Sequence, residues 1–190
     1  MWGVFNGDTL EYPFGQRLGF DKRTSAALKL LAILAALWLL NVGFVAIHEG
    51  GHTAMAAAFG AKIYNVYVSV TGLEGATTHD ALPVQSRASL VIAAGIVATT
   101  AALVIAFLAR FELAVYVLGL RTIESLLNYS AGSDMLALLG NIGTDAYLFS
   151  AVMIGISALC TGLTIRRRMG LIRSAEQAKR QAIAAPVAAV

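Results

Sequence analysis

Two histidines and a glutamate lie within five residues of one another, in the stretch His48-Glu-Gly-Gly-His52. Because positions i and i+4 share one face of a helix, His48 and His52 can bring two imidazole nitrogens to one metal ion. Glu49 lies beside them and can act as a general base toward water, which is how the H-E-x-x-H pattern makes a hydrolytic zinc site. The chain has three histidines, so two of the three fall in this motif.

The motif is embedded in a long apolar segment. Residues 26–58 are mostly Ala, Leu, Ile, Val, Phe and Trp, and they predict a membrane-length helix that ends near Phe59. Ionisable side chains at membrane depth are costly unless they face a cavity or a ligand. We therefore interpret His48, Glu49 and His52 as functional.

The composition places the chain among membrane proteins. It has 190 residues, of which 58% are hydrophobic and 13% charged, and its mean hydropathy is +0.72, which is too apolar for a water-soluble domain of this size. The net charge of +3 comes largely from two clusters that flank the apolar segments, a pattern that indicates membrane orientation and argues against a nucleic-acid surface. The single cysteine, Cys160, excludes an intrachain disulfide.

Apolar periodicity and turn residues predict the remaining elements. They are a strand pair between Ala61 and Thr78, a helix over about 88–109, an interrupted apolar stretch over about 113–127, a break at 128–134 with a short helix at 135–139, and a last helix over about 146–165. The predicted fold is an all-α polytopic membrane protein with about four transmembrane helices, one of which can be broken or re-entrant. A small interfacial β-hairpin or sheet follows the first helix, because an open sheet edge cannot face lipid.

A hydrolytic zinc site needs a third protein ligand and an open position for water. By residue type, the candidates are His79, Asp80, Asp134 and Asp145. His79 and Asp80 lie in a predicted loop where solvation explains them, and Asp145 can cap the start of the last helix. Asp134 follows Gly132 in the break, where the backbone can bend a side chain inward. Asp134 is the preferred third ligand, and Asp145 is the second choice.

The sequence from His48 to Lys62, His-Glu-Gly-Gly-His-Thr-Ala-Met-Ala-Ala-Ala-Phe-Gly-Ala-Lys, resembles the first signature of the site-2 proteases, the intramembrane zinc metalloproteases. The strand-like stretch that follows it and the Ala93-Ala-Gly-Ile-Val-Ala98 segment are similar to the order of elements in that family. The resemblance covers about residues 25–140. It implies a three-helix catalytic core that cleaves transmembrane substrates, with zinc as the cofactor.

The resemblance also implies that an Asp near a helix break is the third zinc ligand, a role that falls on Asp134. At this break the family commonly has an Asn, two prolines and Leu-Asp-Gly, whereas this chain has Asn128, then Ala131-Gly-Ser-Asp134, neither proline, and Met135 after the Asp. Asn128 is carried over as a polar stabiliser of the transition state. Glu49 would take a proton from water and later pass it to the leaving amine.

A transmembrane substrate must unwind before its backbone can be attacked. The predicted strands near residues 64–70 could hold such a substrate extended by pairing with it along their edge. The expected partners are therefore membrane lipid and a transmembrane protein substrate, with other membrane subunits as a further option and no nucleic acid. The alternative function is a non-catalytic membrane subunit with a structural or docking role in a larger complex. Metal transport is a weaker third option, because polar residues do not recur along several spans.

Basic residues flank the predicted spans at both ends of the chain, at Arg17, Lys22 and Arg23 and again at Arg166, Arg167 and Arg168. With four spans both termini lie on one side, which the positive-inside tendency makes cytoplasmic. If residues 113–140 only re-enter the membrane, there are three spans and the termini separate. The predicted organisation is an N-terminal interfacial segment (1–24), a membrane-embedded metalloprotease-like domain (25–168) and a basic tail (169–190), which is either a surface helix or a frayed end.

Overall fold

The computed structural model describes residues 22–184, and within that range the chain is mostly helical. Its elements, in chain order, are α1 Lys22–Ala58, β1 Ile63–Val68, β2 Gly75–His79, α2 Gln85–Leu108, α3 Glu112–Leu127, α4 Asp134–Ile142 and α5 Asp145–Ala184. The mainly helical architecture with a small β element is therefore confirmed. The predicted N-terminal segment, 1–24, lies almost entirely outside the described residues.

Three helices are long and apolar enough to cross a membrane, and they cover Ala26–Ala58, Gln85–Leu108 and Asp145–Gln181. This is consistent with the predicted membrane protein. Helix α3 has 16 residues, which at 1.5 Å per residue is about 24 Å, less than the about 30 Å of a hydrocarbon core. The fourth transmembrane helix thus stays a prediction.

The chain divides into two compact units after Trp38. Within the first unit the structure describes residues 22–38, which form the N-terminal part of α1. The second unit, Leu39–Val190, contains the rest of α1 and all later elements. All of the candidate site residues belong to this second unit.

Two groups of buried apolar side chains stabilise the second unit. The first group consists of Phe44, Val45, Leu103, Ala106, Val115, Leu118 and Cys160. The second group consists of Ile96, Leu126, Met135, Leu138 and Ala146. Large apolar side chains on the outer faces of α2, α3 and α5 are exposed, as expected for helices in lipid; they include Ile105, Leu120 and Leu159.

Strands β1 and β2 form a two-stranded antiparallel sheet whose paired residues run from Val68↔Gly75 to Ile63↔His79. The predicted strand pair is therefore confirmed. Val70, the last residue of the strand region predicted near 64–70, instead lies in the connecting turn and is 78% exposed. In that turn Gly72 has φ +68°, and a Cβ at this position would lie 2.6 Å from the backbone nitrogen of Val42. The tip of the hairpin therefore contacts the backbone of α1 at a point where only glycine fits.

Helix α5 is longer than the sequence indicated. We expected the last helix to end near Ile165, whereas α5 continues without interruption to Ala184. The continuation is rich in Arg, Ala and Gln, which favour helix, and the lone Gly170 does not break it. In the described residues the tail is therefore helical rather than frayed, and its position on the membrane surface stays a prediction.

Helix α3 runs antiparallel to α5. At its beginning, Glu112 lies 3.8 Å from the guanidinium of Arg168. At its end, the carbonyl of Leu126 accepts a hydrogen bond of 3.2 Å from the hydroxyl of Ser150. Helix α3 therefore connects the end of the bundle where α2 terminates with the end where α5 begins.

Candidate metal centre

Helix α1 presents His48 and His52 one turn apart, as the spacing of the motif predicts. Their rings lie edge to face with centroids 4.7 Å apart. Asp134 reaches both from the start of α4: its Oδ2 lies 2.7 Å from Nε2 of His48 and 3.1 Å from Nε2 of His52. Among the described residues, these three could hold a metal ion, because each offers one ligand atom and the three atoms lie within 4.8 Å of one another.

The chemistry of these donor atoms fits a cation. Nδ1 of His52 lies 2.7 Å from the carbonyl oxygen of Val91, which can only accept a hydrogen bond, so Nδ1 carries the proton. In the neutral ring Nε2 then has a lone pair, and it faces a carboxylate oxygen of Asp134 at 3.1 Å. Two acceptors at this distance need a proton or a metal ion between them. The contact with Val91 also holds the ring in the tautomer that a metal ligand requires.

His48 is held differently from His52. Its Nδ1 is buried and has no hydrogen-bond partner in the described part of the chain. Its ring instead stacks on Phe44, with centroids 6.1 Å apart and an interplanar angle of 18°. The orientation of His48 thus depends on ring packing, whereas that of His52 depends on a hydrogen bond to the backbone.

Helix α2 approaches the two histidines at Gly95. A Cβ on Gly95 would lie 2.6 Å from Cε1 and Nε2 of His52 and 3.0 Å from Cε1 of His48. Gly51 of α1 approaches α2 in a similar way, since a Cβ added at this position would lie 2.5 Å from the carbonyl oxygen of Ala94. The absence of a side chain at Gly95 allows the two helices to approach each other closely. The structure shows that this contact is made with the imidazole rings themselves.

Glu49, the predicted base, lies on the same helix with 6% of its surface exposed. Its Oε2 accepts a hydrogen bond of 2.8 Å from the hydroxyl of Thr77 on β2. A Cβ on Gly75 would lie 2.7 Å from Cγ and Oε1 of Glu49, so the start of β2 also packs closely against this side chain. The hairpin therefore fixes the position of the carboxylate.

Asp134 is the first residue of α4, and three neighbours position it. The hydroxyl of Ser133 caps the helix by accepting a hydrogen bond from the backbone nitrogen of Leu136. Met135 and Leu138 anchor the same helix in the core at 0% and 1% exposure. Burial alone would raise the pKa of the Asp134 carboxyl, but its short contacts with His48 and His52 outweigh this effect and hold the pKa below its ordinary value. The ionised carboxylate is the form in which an Asp side chain binds a metal ion.

A cavity of about 500 Å³ opens beside the cluster, and its lining includes His48, Glu49 and Asp134. Asn128 lines the same cavity, where its side-chain oxygen accepts hydrogen bonds from the backbone nitrogen and hydroxyl of Ser130 at 3.0 and 2.6 Å. The geometry thus places Asn128 at the site, while its role in stabilising a transition state stays a prediction.

Arg121 lines the same cavity and forms an ion pair with Glu124, in which the two side chains are 2.6 Å apart. The second guanidinium nitrogen of Arg121 donates to the carbonyl of Gly72 at 3.3 Å. Its guanidinium also lies 5.5 Å from the ring centroid of Phe44. Arg121 thereby links α3 to the hairpin turn and to the side chain that stacks on His48.

The other proposed ligands do not join the cluster. Asp80 accepts hydrogen bonds from the hydroxyl of Tyr64 and the backbone nitrogen of Lys62, and the contact with Tyr64 is the main cause that lowers its pKa. Nδ1 of His79 bonds to the carbonyl of Asp80. Asp145, the second choice, lies exposed in the first turn of α5. Among the candidates named from the sequence, Asp134 is the one that lies against both histidines.

Two supporting contacts were not predicted from the sequence. One is the hydroxyl of Thr77 on Glu49, and the other is the carbonyl of Val91 on His52. A threonine in a strand and a carbonyl within a helix carry no local pattern that distinguishes them. Only the packing of β2 and α2 against α1 reveals them.

Comparison with known proteins adds no family assignment to this geometry. No protein-family model matches the chain. No curated protein and no solved structure matches it either. The case for a metal centre therefore rests on this chain's own residues, His48, His52 and Asp134, and the resemblance to the site-2 proteases remains a hypothesis from its sequence motifs.

Proposed function

We propose that this chain is a zinc-dependent endopeptidase of the site-2 protease kind, which hydrolyses peptide bonds of membrane-anchored proteins. The observation that carries the proposal is the convergence of Nε2 of His48, Nε2 of His52 and Oδ2 of Asp134 within 4.8 Å, beside a cavity that also contains Glu49. Three protein ligands next to open space are typical of catalytic zinc, whereas structural zinc is usually closed by four.

In this proposal His48, His52 and Asp134 hold the ion through the atoms that already face one another. Zinc bound there would supply a Lewis acid that polarises a carbonyl oxygen and makes water more acidic. Glu49 would take a proton from water and return it to the leaving amine, a role that needs a carboxylate held in one place. The hydrogen bond from Thr77 and the close packing of Gly75 supply that constraint.

The β-hairpin is the proposed platform for an unwound substrate. Each strand of the two-stranded sheet has one outer edge, and β2 lies against Glu49 through Gly75 and Thr77. An extended segment that paired with the sheet would bring its backbone near the cavity. Proline substitutions along the outer edge of the sheet remove backbone donors that would pair with the substrate. They should therefore reduce cleavage and leave zinc content unchanged.

We further infer that α3 makes a fourth, short crossing of the membrane. It connects the end of the bundle at Arg168 with the end at Ser150. Four crossings place both termini on one side, which the basic residues at 166–168 would make cytoplasmic. Val91 and Gly95, which contact His52, lie in the first half of α2, so the metal centre would lie toward the opposite face.

A non-catalytic membrane subunit is the second candidate function. The observation in its favour is that Glu49 is only 6% exposed and already engaged by Thr77, so the base could be shielded from water. In that case the metal or the histidine cluster would serve as a structural or docking element. The two candidates differ in whether peptide hydrolysis depends on Glu49.

The test uses the full chain, purified and reconstituted with a panel of single-span transmembrane peptides. Wild type should contain zinc and cleave at least one peptide. Glu49→Gln should retain zinc and lose cleavage by at least about a hundredfold, since general-base catalysis contributes on that scale. Glu74→Gln, a carboxylate that lines the same cavity, is the matched control and should remain active. Bound zinc without any Glu49-dependent cleavage would favour the non-catalytic subunit.

A further inference from the structure

A second cavity, of about 450 Å³, lies between the end of α2, the start of α3 and the middle of α5. Its lining includes two arginines, Arg110 and Arg167, and the apolar side chains of Phe107, Val115 and Leu171. No residue of the metal centre contributes to it. The cavity combines positive charge with an apolar wall, and the proposed hydrolytic function does not use it.

The backbone at Arg110 has an unusual conformation. Arg110 has φ +61°, and it is the one residue other than glycine with positive φ in the described range. It follows the C-cap of α2, a position that glycine normally occupies because a Cβ disfavours the left-handed region. Arginine is unfavourable in this left-handed conformation, yet at this position it brings a guanidinium to the cavity. Such outliers often mark functional positions.

The second arginine is held in a fixed orientation. The guanidinium of Arg167 lies 4.4 Å from the ring centroid of Phe107, a distance that fits cation–π stacking. Neither Arg167 nor Arg110 forms an ion pair with a carboxylate among residues 22–184. Glu112, the acidic residue of the cavity lining, faces Arg168 at 3.8 Å. The cavity therefore retains positive charge for an anionic ligand.

The sequence around the cavity places it at a membrane surface. The apolar span in α2 ends at Leu108, just before Arg110. The apolar part of α5 ends at Ile165 and is followed by Arg166, Arg167 and Arg168. Phosphate groups of lipids occupy this level, and arginine binds phosphate through two parallel hydrogen bonds.

We propose that this cavity binds the phosphate group of an anionic membrane lipid, with Arg110 and Arg167 as its ligands. Both guanidiniums contact the phosphate, and the apolar wall formed by Phe107, Val115 and Leu171 accommodates the upper part of the acyl chains. Soluble phosphate presents the same chemistry without the chains. The test therefore includes both sources.

The experiment measures thermal unfolding of the full chain in nanodiscs of phosphatidylcholine, with or without phosphatidylglycerol, together with native mass spectrometry of co-purified lipid. Phosphatidylglycerol should raise the Tm of wild type and remain bound. Arg110→Gly and Arg167→Gln should each weaken phosphatidylglycerol binding about fivefold, because one arginine near an anionic surface contributes on that scale. Arg173→Gln, an exposed arginine of α5 outside the cavity, is the control and should bind like wild type.

Glycine suits the left-handed backbone at position 110, so Arg110→Gly should fold at least as well as wild type in phosphatidylcholine alone. A loss of lipid binding in this variant therefore cannot be attributed to misfolding. A Tm increase that persists in both cavity variants would overturn the proposal, since it would reflect general surface charge. In a further arm, inorganic phosphate is added to phosphatidylcholine nanodiscs. If it reproduces the full shift in an Arg110-dependent manner, the site binds soluble phosphate and the lipid assignment is wrong.

Discussion

The candidate metal centre is built from two regions of different character. Helix α1 supplies His48, Glu49 and His52 from little more than one turn of regular helix. The segment 128–134 and the start of α4 supply a single donor, Asp134, after an irregular stretch in which Gly132 has φ +83°. The first region brings three groups at fixed spacing, whereas the second must be placed by its surroundings.

The two regions are also supported differently. On α1, the carbonyl of Val91 fixes His52 and the hydroxyl of Thr77 fixes Glu49, so hydrogen bonds with neighbouring elements hold these two side chains directly. Asp134 is held indirectly, through the cap at Ser133 and the burial of Met135 and Leu138. The affinity for metal should therefore be most sensitive to the packing of α4.

Met135→Ala should produce the largest loss of stability. Met135 is fully buried, and its truncation should lower the free energy of unfolding by about 2–5 kcal/mol. Because α4 carries Asp134, zinc affinity should fall as well, measured by competition with a chromogenic chelator. Leu103→Ala removes an equally buried side chain from the other core group and is the control. Equal zinc affinities in the two variants would show that α4 packing does not position Asp134.

Gly95→Ala changes the residue of α2 that packs against the two histidines of α1. The added Cβ would lie 2.6 Å from His52 and 3.0 Å from His48, so overpacking should cost about 1–3 kcal/mol in stability. It should also displace both imidazoles and reduce zinc affinity. Gly155→Ala in α5 has no atom within 4 Å of its Cβ and should bind zinc like wild type. Unchanged zinc affinity in Gly95→Ala would mean that the rings do not need this close contact.

Ser133→Ala should have the smallest effect of the three. It removes the hydroxyl that accepts from the backbone nitrogen of Leu136, and loss of such a cap costs about 1 kcal/mol. The start of α4 should fray, and zinc affinity should decrease slightly. Ser130→Ala, in the same break but outside the cap, should leave α4 intact. Fraying is measured in both variants by hydrogen exchange of the α4 amides. Equal exchange rates in Ser133→Ala and Ser130→Ala would count against the cap as a positioning element.

Local pattern predicted the α1 region and much of the fold. The spacing of His48 and His52, the apolar helices and the strand pair follow from periodicities of 3.6 and 2 residues. The contacts of Val91 and Thr77 could not be predicted, because they depend on how separate elements pack together. For the third ligand, residue type and the position after Gly132 favoured Asp134 over Asp145, but its contact with both histidines is visible only in the tertiary structure.

Helix α3 is a second region whose role could not be predicted from the sequence. Helix α3 contains Arg121 and Glu124, which lowered its apolar character in the sequence. In the structure these two residues pair with each other at the metal-centre cavity. Charge within an apolar stretch therefore marked the lining of a cavity, which hydropathy cannot distinguish from a loop.

The zinc affinities of Asp134→Ala and Asp145→Ala distinguish a ligand carboxylate from one that only caps a helix. Each variant removes a carboxylate from the first turn of a helix, but only Asp134 contacts both histidines. Asp134→Ala should weaken zinc binding by at least about a hundredfold, more than the usual loss for a residue beside the ligands, and Asp145→Ala should bind like wild type. Wild-type affinity in Asp134→Ala, or a greater loss in Asp145→Ala, would contradict the metal centre described here.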